Sequence, residues 1–367
     1  MNPEIGFHLP YTFNYVFNYL SSLGLKPIKC GKLGIICDIG SSKKNIILLR
    51  ADMDALEIIE KNEIHYKSKN NYMHACGHDA HTAILLGVAE ILKNIIFEGT
   101  IRLMFQPAEE ILSGAINMID NGCLENVKYS VMLHMLPSSE FNNGTIVLPA
   151  DGIITPISNH FEFILNGKSV HAAYVDKSKD LLFIFNKLND IINNFISSEN
   201  TNETNVLYNI CSIEYGNSYN VMPDTLKVLG NFRSFNHDIG KFLMYKIEEA
   251  VKMFSKLYGV TIKFLINHHT CEFYNDKELK ENIIDIFNRN NINYYNISQY
   301  TKNWGSEDFA NVSKNVKTNM ILLSFNNNPI NLTLHNPYFL INESSLIYGV
   351  NALVNIAIGL IEKINIK

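Results

Sequence analysis

Residues 73–81 (MHACGHDAH) concentrate side chains that can bind a metal ion. Cys76 has a histidine two positions away on either side, His74 and His78, and another histidine follows at His81. Imidazole nitrogens and thiolate sulfurs are common ligands of zinc and the other late transition ions. A lone histidine is more often a structural hydrogen-bonding residue, but so dense a set of donors is hard to explain by packing. The segment therefore predicts part of a metal site.

Further donors come just after predicted strands or in adjoining loops far along the chain: Glu110, His134 and His335. Glu110 follows Glu109 directly, after an apolar strand that Pro107 ends. Of two such carboxylates, one can bind a metal ion while the other acts as general base on a water molecule. The alternative is a solvated helix start, where acidic side chains suit the helix dipole. The residues alone leave both readings open.

Two more carboxylates, Asp52 and Asp54, end another buried strand in the segment LRADMDAL (49–56). Strand alternation places both side chains on one face. Histidines that bind metals usually donate their second N–H to a carboxylate, so Asp52 and Asp54 are candidates for supporting ligand histidines. Capping a helix N-terminus is the alternative role.

The elements around these residues alternate between strands and helices from residue 26 to residue 122, which predicts an α/β sheet covered by helices. In such sheets functional side chains gather at the carboxyl ends of the strands. The predicted strands are 46–49, 100–105 and 129–133, and the predicted helices are 80–93 and 113–120.

From residue 157 the predicted order changes to β-α-β-β-α-β, the order of the ferredoxin-like unit. Strands at 158–166 and 261–267 enclose helices at 180–197 and 238–258, with two strands flanking 220–224. A helix at 277–290, a strand at 320–324 and a helix from 343 resume the earlier pattern. We therefore expect a mixed α/β protein in which residues 1–156 and 268–367 form one domain and residues 157–267 an inserted domain.

Composition argues against several other classes of protein. Hydrophobic residues make up 47% and charged residues 18%, which is ordinary for a globular chain. The net charge is -5 and no long Lys/Arg block occurs, so neither a nucleic acid nor a membrane is expected as partner. The six cysteines are too scattered for a disulfide scaffold. Residues 1–25 contain no Lys or Arg, so no secretory signal is predicted and a cytoplasmic protein is expected.

Taken in order, these motifs resemble the amidohydrolase branch of the dinuclear metallopeptidases, the family of aminoacylases, hippurate hydrolases and auxin-conjugate hydrolases. The matching segments run nearly the full length of the chain: RADMDAL (50–56), HACGHD (74–79), FQPAEE (105–110), LH (133–134), HAA (171–173), NVMP (220–223), GSEDF (305–309) and LHNP (334–337). Any one could arise by chance, but eight in order are specific.

The resemblance implies two divalent metal ions, with manganese as the expected ion and zinc, cobalt or nickel as alternatives. It assigns their coordination to Cys76, His78, Glu110, His134 and His335. Glu109 would be the general acid/base. Asp52 and Asp54 keep their supporting role. His74 is no longer a candidate ligand, and His74, Asp79 and His81 become supporting residues as well.

In this family the inserted domain is a lid that also carries the dimer interface. The resemblance implies that His171 stabilises the oxyanion in a neighbouring subunit's site, and that Asn220 and Arg233 hold a substrate carboxylate, a task suited to the fork of an arginine. The family has Pro and His where this chain has Val175 and Asp176. Lid geometry or substrate preference is therefore expected to differ.

The implied reaction is metal-dependent hydrolysis of the amide bond of an N-acyl amino acid, such as an N-acetyl or N-benzoyl conjugate, by a homodimer. A dipeptidase or exopeptidase using the same site is one alternative. A non-catalytic metal-binding regulatory homologue is the other, although the presence of all five proposed ligands and Glu109 argues against a decayed site.

Overall fold

A computed structural model describes residues 1–42, 44–199, 205–297, 304–326 and 333–366. The helices are α1 (Pro10–Ser22), α2 (His78–Leu92), α3 (Gly114–Ile119), α4 (Leu181–Glu199), α5 (His237–Tyr258), α6 (Lys277–Arg289), α7 (Ala310–Ser313) and α8 (Leu346–Ile366). The strands are β1 (Ile28–Cys30), β2 (Gly34–Gly40), β3 (Ile46–Asp52), β4 (Thr100–Gln106), β5 (Val127–Pro137), β6 (Ile146–Leu148), β7 (Gly152–Thr155), β8 (Ile157–Asn166), β9 (Val170–His171), β10 (Val206–Glu214), β11 (Val221–Met222), β12 (Thr225–Ser234), β13 (Thr261–Thr270), β14 (Phe273–Asn275), β15 (Tyr294–Asn296) and β16 (Lys317–Phe325).

The protein is mixed α/β, as the sequence predicts, and divides into two compact units. The first unit comprises Met1–Ile154, Phe273–Lys302 and Glu307–Lys367, and the second comprises Thr155–Glu272 with Asn303–Ser306. The first unit is built on an eight-stranded sheet in the order β1-β2-β4-β3-β5-β16-β6-β15. Every residue of β3 and β4 is buried, because a parallel strand in the middle of such a sheet is covered on both faces.

Parallel pairing of β3 with both β4 and β5 brings the carboxyl ends of these strands to one edge of the sheet. β3 ends at Asp52 and β4 ends at Gln106. β5 is longer than predicted and runs to Pro137, because β16 continues to pair with it in parallel as far as that residue. His134 therefore lies inside a strand, and the expectation that it follows one was wrong.

Helix α8 and the short 3-10 helix before it are long and apolar enough, by length and composition alone, to cross a membrane. Half of the most apolar stretch is buried inside the structure, where Leu353, Ile356 and Leu360 join the core of the first unit. A core helix of a globular protein meets the same criterion, so one such helix is a weak indication of a span. The expectation of no membrane partner stays a prediction.

The second unit contains a four-stranded antiparallel sheet in the order β10-β12-β8-β13, connected along the chain as β8-α4-β10-β12-α5-β13. Alternate residues of β8, among them Phe161 and Phe163, pack with apolar residues of α4 and α5 in one core. A two-stranded ribbon, β9 with β11, lies outside this sheet. The ribbon pairs Val221 with His171, a feature that the sequence reading did not predict.

Candidate active site

The first two proposed ligands, Cys76 and His78, are separated by a glycine with a left-handed backbone. Gly77 has φ 89°, a conformation that side chains other than glycine rarely adopt, and helix α2 begins at His78. The Nδ1–H of His78 donates to the carbonyl of Asp54 at 2.8 Å. Its Nε2 is buried and has no hydrogen-bond partner among the residues that the structure describes. When the ring is neutral, the lone pair of this nitrogen is therefore available to a metal ion.

His134 is held in the same way. Its Nδ1–H donates to the carbonyl of Met135 at 2.9 Å, and its Nε2 lies 3.5 Å from the Sγ of Cys76. His335 reaches the site through its backbone, because its N–H donates to the carbonyl of Ala75 at 2.8 Å. The φ of His335 is 61°, a strained value for a residue with a side chain and one typical of functional sites.

These donors form two overlapping groups that share Cys76, and within each group the donor atoms lie within 4.8 Å of one another. The groups are Cys76, His78 and His134, and Cys76, Glu110 and His335. Oε1 of Glu110, like Nε2 of His78, is buried and has no hydrogen-bond partner in the described part of the chain. It lies 3.6 Å from Nε2 of His335. Unpartnered buried donors of these types fit divalent metal ions, and these residues would hold two of them.

Glu109 lies beside these groups without belonging to either. Its Oε2 is 3.9 Å from Nε2 of His78, and its oxygens lie within 4.8 Å of carboxylate oxygens of Glu307 and Asp308. Burial, together with the negative charges of Glu307 and Glu110, raises the pKa of Glu109 well above that of an ordinary glutamic acid. A raised pKa suits a carboxyl group that must both accept and return a proton near neutral pH.

The three aspartates predicted to support the ligands have different surroundings. The carboxylate of Asp54 accepts the backbone N–H groups of Glu109 at 3.0 Å and Glu110 at 3.2 Å, which orients both glutamates. Asp52 accepts from Nδ1 of His81 at 2.6 Å. Asp79 is exposed at the first turn of α2, where it accepts the N–H of the next residue.

A buried guanidinium, to which the sequence reading gave no role, connects the site to a distant part of the chain. Arg50 is 1% exposed and donates to Asp52 at 2.6 Å, Glu307 at 2.8 Å and Gln106 at 2.9 Å. A longer contact of 3.4 Å joins it to Asp308. Burial would raise the pKa of Asp52, but Arg50 and two nearby histidines hold that pKa well below its usual value. A charged residue at the end of an otherwise apolar strand is the sequence signal that could have revealed this role.

The remaining proposed residues belong to the second unit. His171 and Asn220 are brought together by the β9–β11 ribbon, where the N–H of Ala172 donates to the carbonyl of Asn220 at 2.9 Å. Arg233 lies on β12 and donates to the backbone carbonyl of Trp304. Within the described ranges the buried Nε of Arg233 has no hydrogen-bond partner, and burial lowers the pKa of the guanidinium.

Comparison with known proteins identifies the family of the chain. A sequence profile of Peptidase family M20/M25/M40 matches residues 48–358. The IAA-amino acid hydrolase ILR1-like 5 of Arabidopsis thaliana is 30% identical over 97% of this chain and 83% of its own length. The hippurate hydrolase of Campylobacter jejuni is 28% identical over 97% of this chain and 93% of its own length.

Among solved structures, the YXEP protein of Bacillus subtilis, titled a dinuclear metal binding peptidase from the M20 family, has a similar fold. It superposes with a TM-score of 0.78 at 24% identity and covers 98% of this chain and 94% of its own. The family profile spans most of the chain and includes both donor groups. The chain belongs to Peptidase family M20/M25/M40 and is a metal-dependent hydrolase of amide bonds.

Proposed function

We propose that this protein hydrolyses the amide bond of N-acyl amino acids, releasing a carboxylic acid and a free amino acid. The observation that carries the proposal is the position of Glu109, an acid with a raised pKa, beside the unpartnered Nε2 of His78 and Oε1 of Glu110. The names of relatives, which include a hippurate hydrolase and IAA-amino acid hydrolases, support the substrate class.

Cys76, His78, Glu110, His134 and His335 are the proposed ligands of two divalent ions. When bound, these ions would polarise the substrate carbonyl and make a nearby water molecule acidic. Manganese is the proposed ion, as the family resemblance implies. Zinc, cobalt and nickel are the alternatives, because a thiolate ligand favours softer ions.

In the reaction, Glu109 accepts a proton from the attacking water molecule as the water oxygen bonds to the carbonyl carbon. Glu109 then delivers that proton to the departing amine nitrogen as the C–N bond breaks. Asp54 holds the backbone of Glu109 and so fixes the direction from which its carboxylate approaches. Asp52 would support the metal ligands by accepting a hydrogen bond from His81. Asp79, in the first turn of α2, keeps its proposed supporting role.

We propose that residues 157–267 act as a lid and dimerisation domain inserted into a catalytic domain of residues 1–156 and 268–367. Arg233 would bind the substrate carboxylate with Asn220, since its buried, unpartnered Nε offers a donor to an anion. His171 would stabilise the oxyanion in the site of the partner subunit. Val175 and Asp176 stand where the family has Pro and His, and this difference would change the lid geometry or the substrate preference relative to the family.

A homodimer formed through the lid is part of the proposal. Tyr245, Met253 and Leu257 of α5 are each more than half exposed, and a dimer interface would cover such apolar side chains. Small N-acyl amino acids are the proposed partners, without nucleic acid or membrane, and the cytoplasm is the proposed location. Sedimentation analysis of the full chain tests the oligomeric state.

The substitution Glu109→Gln tests the catalytic assignment. It keeps the shape of the side chain but removes its capacity to take a proton, so metal content should stay at two ions while turnover falls by about 10²–10⁴-fold. The exposed Glu249→Gln is the matched control and should behave like the unchanged protein. Near-normal turnover by Glu109→Gln would contradict the assignment.

A substrate panel tests the reaction. N-acetyl and N-benzoyl amino acids and simple dipeptides are supplied with added manganese or with a chelator. We expect chelator-sensitive hydrolysis that favours the N-acyl compounds. Faster dipeptide cleavage would instead establish an exopeptidase, and metal binding without any hydrolysis would establish a non-catalytic homologue.

A further inference from the structure

We propose that His81 is a positioning residue that fixes the ligand histidine His134 through the backbone of Met135. The inference rests on the metal site of the proposed function but concerns a residue that is not itself a ligand. His81 is 2% exposed and lies one helical turn after the start of α2. Its Nε2 accepts the N–H of Met135 at 2.8 Å.

Both nitrogens of the His81 ring are used in hydrogen bonds. To accept the N–H of Met135, Nε2 must carry a lone pair, so the proton of the neutral ring is on Nδ1. That Nδ1–H donates to Asp52 at 2.6 Å. Asp52, His78 and His81 also form a compact donor group, but a metal ion bound to His81 would have to break one of these hydrogen bonds. His81 therefore has no lone pair left for a metal ion.

The hydrogen bonds of His81 tie together the ends of two parallel strands. Asp52 ends β3, whereas Met135 lies on β5 directly after His134. The carbonyl of Met135 accepts the Nδ1–H of His134, so the residue whose N–H His81 holds also orients the His134 ring. The two rings pack with their centroids 4.7 Å apart. Loss of the bond to Met135 would release both the backbone and the ring of this ligand.

Two substitutions separate the two hydrogen bonds. In His81→Asn the side-chain N–H₂ reaches the position of Nδ1 and keeps the bond to Asp52, but nothing accepts from Met135. In His81→Gln the longer side chain places its carbonyl oxygen near the position of Nε2, so it keeps the acceptor for Met135 and loses the donor to Asp52. If His81 acts through Met135, the two substitutions must differ in their effect on metal binding.

The experiment measures binding of Co²⁺ to the full chain by competition with a chromophoric chelator, together with the absorption spectrum of the cobalt-loaded protein. We expect His81→Asn to lower the affinity for one of the two Co²⁺ ions about 10–100-fold and to change the cobalt absorption spectrum. His81→Gln should retain both ions and a spectrum close to that of the unchanged protein. Thermal unfolding of each chain in chelator reports any purely structural effect, which would move the unfolding temperature without separating the two variants in cobalt affinity.

Normal affinity and spectrum in His81→Asn would overturn the inference, and so would an equal loss in both variants. Failure of both variants to fold would also overturn it, because His81 would then serve the core rather than the ligand. If the unchanged protein itself failed to bind two ions, the proposed metal site would fail. That outcome is distinct from a failure of the role of His81.

Discussion

Replacing Arg50 with methionine tests the central electrostatic feature of the first unit. Its guanidinium is surrounded by Asp52, Glu307 and Asp308, with contacts of 2.6, 2.8 and 3.4 Å. The side chains of Arg50, Asp52 and Asp308 are completely inaccessible, and that of Glu307 is 5% exposed. Arg50→Met fills a similar volume but leaves three buried carboxylates without their shared cation.

Removal of one partner from a buried ion pair destabilises a protein by about 3–5 kcal/mol, because the remaining charge stays buried without compensation. Since three carboxylates share Arg50, we expect the upper end, about 5 kcal/mol. For a unit of this size that loss lowers the unfolding temperature by roughly 10–20 °C. Arg50→Lys keeps the positive charge, but a lysine ammonium lacks the fork that lets arginine contact all three carboxylates at once. Its loss of stability should therefore be intermediate.

The assay is differential scanning calorimetry of the full chain without added metal. Arg50 lies in the first unit, so the transition of that unit should move while that of the second unit serves as an internal reference. Arg289→Met is the matched control, because Arg289 makes an exposed pair with Asp285 at 2.8 Å worth about 1 kcal/mol or less. A shift for Arg50→Met no larger than that of the control would refute the reasoning.

Three further predictions concern side chains near the site. Asp54→Ala leaves two backbone N–H groups, including that of Glu109, without their acceptor, so it should cost about 1–3 kcal/mol in urea unfolding and lower kcat more than metal affinity. Gly114→Ala should destabilise by about 1–3 kcal/mol or more by the same assay, because its Cβ would lie 1.6 Å from the carbonyl oxygen of Pro107. Burial lowers the pKa of His81 to about 4. The unfolded chain therefore binds the proton first, and the metal-free protein should lose about 3 kcal/mol as pH falls from about 6.5 to about 4. Urea unfolding of the unchanged protein and His81→Gln across that range checks this, since the loss of unfolding free energy should be about 3 kcal/mol larger in the unchanged protein.

The sequence predicts those parts of the site that depend on neighbouring residues along the chain. The buried strand that ends at Asp52 follows from an uninterrupted apolar run, and helix α2 follows from the apolar pattern after residue 80. Cys76 and His78 could be identified because their spacing is unusual in itself. Parallel strands must bring their carboxyl ends to one edge, so convergence of Gln106 with the other strand ends was also predictable.

The partners of individual side chains were not predictable, because they depend on contacts between distant segments. Arg50 pairs with Glu307 across 257 positions of sequence, and no local pattern reports this contact. His74, His78 and His81 have the same chemistry and similar spacing from Cys76. The hydrogen bonds distinguish His81 from His78, since His81 uses both nitrogens and His78 keeps one free. The partner of His81 on Met135 could not be predicted, because it depends on the backbone of β5, whose true length the sequence did not give.

A surplus of buried negative charge connects the fold of the first unit to its chemistry. One guanidinium, that of Arg50, faces a larger set of carboxylates that are buried or nearly so: Asp52, Asp54, Glu109, Glu110, Glu307 and Asp308. Such groups are costly to bury without compensating positive charge or protons. The same surplus raises the pKa of Glu109 and would favour the binding of divalent ions. Arg50 neutralises part of this charge away from the two donor groups, which would leave the carboxylate of Glu110 and the thiolate of Cys76 for the proposed cations.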